Sequence, residues 1–143
     1  MAIYSLANRT TNTTTANDCL EIIGAAALGY RLLELGLTLN AATASVFGYG
    51  TPAAIGLIPT APVTVLTEDA GNTAAGNTTT ALAWGTQPTI PANFYRRVSL
   101  PATVGAGIIW TFPRGISVLK AKTTTIWNLS TVSVIDVWIV VDE

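Results

Sequence analysis

The sequence predicts an all-β fold, an antiparallel sandwich with little helix. β-Branched and aromatic residues crowd the last third, Ile108 to Asp142, where three of the four tryptophans lie. Such residues favour strands. Prolines at 52, 59, 62, 88 and 91 exclude a long helix through the middle of the chain and suit strand edges. Short apolar runs alternate with turn formers about every 8–12 residues, the spacing of a sandwich or jelly roll.

In chain order, residues 1–17 read as an extended N-terminal arm. Ile3, Tyr4 and Leu6 form a small apolar anchor, followed by a Thr- and Asn-rich spacer. The spacer has too little apolar content to build a core, and a frayed terminus reads equally well. Residues 18–143 form the sandwich domain. Between 18 and 50 the leucines fit two periods. Leu28, Leu32, Leu35 and Leu39 suit a helix, whereas Leu33, Leu35, Leu37 and Leu39 alternate against Glu34, Gly36, Thr38 and Asn40 as in a strand. Gly29 and Gly36 would each cost a helix interior about 1 kcal/mol. Strands are therefore expected near 20–28, 31–39 and 43–48.

The segment 51–92 is loop-rich, with short strands expected at Val63–Thr67 and Thr79–Trp84 and a surface loop from Glu68 to Asn77. Phe94 to Leu100 is the next strand. Ile108–Phe112, Pro113-Arg114-Gly115 and Ile116–Leu119 read as a hairpin, with a type I turn and a Gly bulge. Its apolar side would be Trp110, Phe112, Ile116 and Val118.

Thr125 to Leu129 and Thr131 to Val141 close the chain. In the last strand Ile135, Val137, Ile139 and Val141 share one face, but Trp138 and Val140 make the other face apolar as well. A half-exposed antiparallel strand would alternate cleanly. Either this strand is central to the sandwich, or its second face meets another subunit. A change of phase near Ile135 suggests a bulge.

The chain has 143 residues, 50% of them hydrophobic and only 10% charged. Soluble domains average about 25% charged residues, so some of this surface is expected to be covered by a repeated assembly. No run reaches the ~18 apolar residues of a membrane span, and the region after Met1 lacks the pattern of a signal peptide. A soluble, non-exported protein without membrane association is expected. The net charge is −1, and there is no basic tail or arginine cluster beyond Arg96-Arg97. Nucleic-acid binding, which needs several phosphate contacts, is not expected.

Catalytic chemistry is thinly supplied. There is no histidine, which removes the Ser-His-Asp and Cys-His systems and the usual zinc sites. Cys19 lies between Asp18 and Glu21, whose charge disfavours a thiolate. The other carboxylates are Glu34, Glu68, Asp69, Asp136, Asp142 and Glu143. Glu68-Asp69 lacks the EF-hand pattern and reads as a loop edge. No enzyme activity, cofactor or metal site is expected. Trp84, Trp110, Trp127 and Trp138 could stack on sugars, although burial in the core is the commoner fate of such residues.

Leu32-Leu33-Glu34-Leu35-Gly36-Leu37, the run Leu100-Pro101-Ala102 leading to Gly107–Gly115, and Asp136–Glu143 resemble small virion structural proteins of tailed phages. In particular, the chain is similar to head decoration, or cement, proteins with a jelly-roll domain. The resemblance implies a jelly-roll-like sandwich and a non-enzymatic role on the outer capsid surface. It also implies synthesis in the bacterial host cytoplasm, and a homo-oligomer, trimer before dimer, bridging neighbouring subunits of the major capsid protein. Ile3, Tyr4, Leu6, Trp110, Phe112, Trp127, Trp138 and Val140 are the expected subunit or capsid interface. The alternative is a tail-associated or receptor-binding sandwich that binds host glycans.

Overall fold

A computed structural model describes residues 2–11, 18–69, 71, 76–130 and 133–143. Within them the protein is all-β, as the strand-rich pattern predicts. The strands are β1 (Ile3–Thr11), β2 (Asp18–Ile23), β3 (Tyr30–Leu39), β4 (Ser45–Gly50), β5 (Leu57–Pro59), β6 (Pro62–Val63), β7 (Leu66–Thr67), β8 (Thr79–Ala81), β9 (Trp84–Thr86), β10 (Arg96–Leu100), β11 (Gly107–Val118), β12 (Thr123–Asn128) and β13 (Val134–Asp142). A five-stranded sheet, here sheet A, runs β11-β3-β13-β1-β7. A six-stranded sheet, sheet B, runs β10-β4-β12-β2-β8-β6, and β5 pairs with β9 in a separate ribbon.

The long strands nest. β1 pairs with β13, β2 with β12, β3 with β11 and β4 with β10, all antiparallel. The β3–β13 and β4–β12 ladders then join these pairs within their sheets.

The core lies between sheets A and B. On β13 the odd positions Ile135, Val137, Ile139 and Val141 are buried, as the alternation predicts, opposite Leu39, Leu37, Leu35 and Leu32 of β3. Leu20, Ile22, Phe47, Tyr49 and Ile126 come from sheet B. Each side chain of this kind stabilises the fold by about 1.5–3 kcal/mol on full burial. Strand β13 is central, with a ladder on each side.

Four expectations need correction. The stretch Ile3–Thr11 is not an arm. It is strand β1, bonded along its length to β13 and at Tyr4 and Ser5 to β7, and Tyr4 and Leu6 point into the core. Thr and Asn side chains are compatible with a strand once a neighbour supplies the ladder. Residues 12–17 of the expected spacer lie outside the described residues, as do residues 70 and 72–75 of the surface loop and Thr131-Val132 of the closing run.

The expected hairpin at 108–119 is one twelve-residue edge strand, β11, which pairs with β3 over residues 107–111 and again over 116–118. Pro113 and Gly115 form an irregularity, not a turn: pairing with β3 shifts between Thr111 and Ile116, and Gly115 has φ 65°. The expected apolar side survives. Phe112 and Val118 are buried, and Trp110 and Ile116 pack against the core.

The bulge near Ile135 is also misplaced. The register of β13 shifts between Val140 and Val141, where Leu33 is the extra residue on β3. That bulge turns Leu32, not Leu33, into the core.

The middle segment is more broken than expected. Strand β2 stops at Ile23, before Gly24. Pro62–Val63 joins sheet B and Leu66–Thr67 joins sheet A, while Thr79–Trp84 splits between β8 and β9.

Because β1 is an interior strand, deleting residues 1–11 should abolish the cooperative thermal transition. A circular dichroism melt within a few degrees of the full chain would contradict this placement.

Candidate association surface

The two outer faces of the sandwich differ. Sheet B is covered by the chain itself. Phe94 packs edge-on against Trp127 with ring centroids 5.9 Å apart, and it also lies over Gly48. Trp84 and the backbone at Gly56 lie over Glu21. Trp127 is thereby fully buried.

Sheet A has no such layer among the described residues. Its outer face carries the partners of the core positions, one residue out of phase. One row reads Ile109, Gly36, Trp138, Ala7 across β11, β3, β13 and β1. The next reads Thr111, Glu34, Val140, Ser5 and Leu66, ending on β7. Ile3 lies beyond, opposite Asp142. Ile109 is 56% exposed, Leu66 68% and Ile3 42%.

Trp138 is half-buried, although its register partner offers no side chain. Its ring lies across Gly36, where any Cβ would run into the indole, and its Nε1 donates to Glu34 Oε1 at 2.9 Å. Glycine is thus required at 36 for close approach, not for backbone freedom. The indole is held flat on the sheet with its polar end satisfied. At one end of the band Arg9 Nε donates to Asp136 Oδ1 at 2.7 Å, and this hydrogen bond holds the exposed Asp136 carboxyl below the usual range.

The expected interface residues therefore separate. Ile3, Trp138 and Val140 share the open face. Tyr4, Leu6 and Phe112 are core, Trp110 packs half-buried against it, and Trp127 lies under the cover of sheet B. A residue buried within the folded chain has no surface to offer a partner, so Tyr4, Leu6, Phe112 and Trp127 leave the candidate set, whereas Trp110 keeps some exposed surface but faces the opposite side of β11 from Ile109. Ile109 and Leu66 were missed. Ile109 faces opposite to Trp110 on its strand, a placement readable only once the hairpin is replaced by one strand.

A second exposed apolar group lies at the β5–β9 ribbon, where Ile55, Leu57 and Ile58 are exposed. Ile58 has φ 59°, a left-handed conformation costly for a β-branched residue.

Beneath that ribbon lies the least expected feature, two buried carboxylates on the outer face of sheet B. Glu21 is fully buried. It accepts from Gly56 N at 3.1 Å through Oε2, and the Thr123 hydroxyl lies 2.9 Å from its Oε1. Asp18 is 3% exposed, and neither of its carboxylate oxygens has a hydrogen-bond partner among the described residues. Burial raises the pKa of both, and the Glu21 charge helps push Asp18 up to about 7.

Comparison with family models, with curated proteins and with solved structures found no match to this chain.

The buried pair generates a pH prediction. An Asp that titrates near 7 when folded and near 3.9 when unfolded binds its proton more tightly in the folded state. Its stabilisation is complete below about pH 4 and is lost as pH rises towards 7. In chelator-treated buffer, Asp18→Asn should remove this penalty. The variant's advantage should grow from pH 4 to pH 7 and then level off, at up to roughly 4 kcal/mol. Urea unfolding across that range measures it, and an advantage independent of pH would contradict the assignment.

Proposed function

We propose that the chain is a non-enzymatic virion structural protein of a tailed phage. In this reading it is a head decoration protein on the outer capsid surface that bridges neighbouring major capsid subunits and associates with copies of itself. The observation that carries the reading is the open face of sheet A, an apolar band of Ile109, Trp138, Val140, Ala7 and Leu66 laid on a sheet with no covering layer among the described residues. Exposed apolar surface of this kind marks an association site. The low charge content and the resemblance of residues 32–37, 100–115 and 136–143 to cement proteins support the same reading.

The winding supports it as well. The eight long strands pair first with last, second with second-last, and so on inward. Such an order supports the jelly-roll reading, in which eight strands wind as a double Greek key.

One observation favours a second reading. A flat indole with Glu34 on its nitrogen is a platform on which a sugar ring could stack, as a glycan-binding tail protein would need.

Covering Trp138 would remove part of a side chain of about 200 Å² from water, a gross gain of up to ~5 kcal/mol. Central aromatic residues of interfaces commonly cost 2 kcal/mol or more on removal, about 30-fold in affinity. Trp138→Lys places an ammonium beside Glu34 on the outer face, so the subunit should keep its melting temperature within a few degrees. Sedimentation should show an oligomer for the wild type and a monomer for the variant. Heads stripped of the protein should rebind the variant at least ~30-fold more weakly. Equal rebinding of the two proteins would overturn the reading, and quenching of Trp138 by host glycans would favour the second one.

A further inference from the structure

We propose that the layer between sheet B and its cover holds a binding site for a hard divalent cation, calcium before magnesium, with Asp18, Glu21 and Thr125 supplying oxygen ligands. The ladder brings these groups together. On β12, Thr125 is the register partner of Glu21, and Trp127 is the register partner of Asp18. The shift between Ile126 and Trp127 makes Cys19 the extra residue of β2. Asp18 and Glu21 are therefore three positions apart yet on the same face. Directly opposed residues have Cβ atoms about 4.5–5.5 Å apart and diagonal ones about 7–8 Å; Thr125 opposes Glu21 and is the diagonal neighbour of Asp18, so the three side chains share one patch of the outer face.

That area is unusually rich in unsatisfied groups. Both oxygens of Asp18 and the hydroxyl of Thr125 are buried without a hydrogen-bond partner among the described residues. Thr125 and Glu21 are both 0% exposed. Two anionic side chains buried side by side need a compensating positive charge or a proton. Among the described residues the ion pair recorded is Arg9 with Asp136, on the other sheet, so no basic side chain of the described chain supplies that charge.

The donor chemistry selects the class of ion. The chain has no histidine, and no group of three or more His, Cys, Asp or Glu side chains gathers among the described residues. A site of carboxylate and hydroxyl oxygens suits a hard cation, not a soft one. Calcium takes oxygen ligands at 2.3–2.6 Å in flexible geometry, including bidentate carboxylates, whereas magnesium demands a strict octahedron and keeps its water. Asp18, with both oxygens uncommitted, is suited to the bidentate role. Glu21 also holds the Gly56 backbone, so the ion would tie the covering segment to sheet B.

Two tryptophans give the site its own reporter. Trp127 stands opposite Asp18, and the Trp84 ring lies with Glu21 against Gly56. Terbium, a calcium surrogate, should emit on tryptophan excitation when bound there. The full-length protein, stripped with chelator at pH 8, is melted with calcium, with magnesium and with chelator alone, and is separately titrated with terbium. At a hundredfold excess over Kd, calcium should raise the melting temperature by about 5–10 °C, and sensitised terbium emission should appear and be displaced by calcium.

Asp18→Asn should fold and lose both effects. Thr125→Val, which leaves both carboxylates in place, should weaken terbium binding severalfold. A melting temperature indifferent to both ions together with no sensitised emission would overturn the site. So would calcium stabilisation that persists in Asp18→Asn.

Discussion

The fold depends on the ladder between β3 and β13. Leu35, Leu37 and Leu39 face Ile139, Val137 and Ile135 across it, and each of these side chains is essentially inaccessible to water. Because strand residues alternate, fixing these six inward also fixes what faces outward. A register slip of one residue would move the whole apolar set to the other side. The outward set includes Glu34, Gly36, Trp138 and Val140, so the constraint that builds the core also builds the candidate association surface. β1 and β11 add to the two sides of this central pair and extend the same face in both directions.

The protein treats its two outer faces differently. Between β4 and β10 the described residues of the stretch 51–95 form short strands and turns interrupted by prolines, and part of them lies over sheet B. It buries Trp127 and closes over Glu21. Among the described residues of this stretch, sheet A receives only the two-residue strand β7 at its edge. A sandwich whose middle segment shields one sheet and leaves an apolar band on the other is suited to attachment by one side. The edge strand β11 carries Pro113 and a left-handed Gly115 within its irregularity. Both features discourage pairing with a further strand and leave the face, not the edge, as the route to a partner.

Much of the fold was legible in the sequence because alternation is a local signal. The buried face of β13, the strand over 31–39 and the apolar side of β11 follow from apolar residues spaced by two. What was not legible depends on pairing. The polar composition of residues 7–11 hides a strand whose ladder comes from β13, more than a hundred residues away. Pro113-Arg114-Gly115 has the chemistry of a turn, and only the continuous partner β3 turns it into an irregularity within one strand. For the association surface, the sequence pointed to Trp138 and Val140 through their excess apolar character. It also assigned Tyr4, Leu6, Phe112 and Trp127 to an interface, since an aromatic or aliphatic residue looks the same whether its neighbour is its own chain or another. The pairing of Asp18 with Trp127 depends on a bulge at Cys19 that no spacing rule announces.

We propose that the open face of sheet A, not the Ile55–Ile58 tip of the ribbon, meets the partner. Hydroxyl-radical footprinting of assembled heads carrying the protein, compared with the free protein, separates the two directly. Trp138, Ile109 and Leu66 should lose labelling on the head, while Leu57 and Ile58 keep theirs. Unchanged labelling at Trp138 with protection of Ile58 would contradict the claim and move the attachment surface to the opposite side of the sandwich.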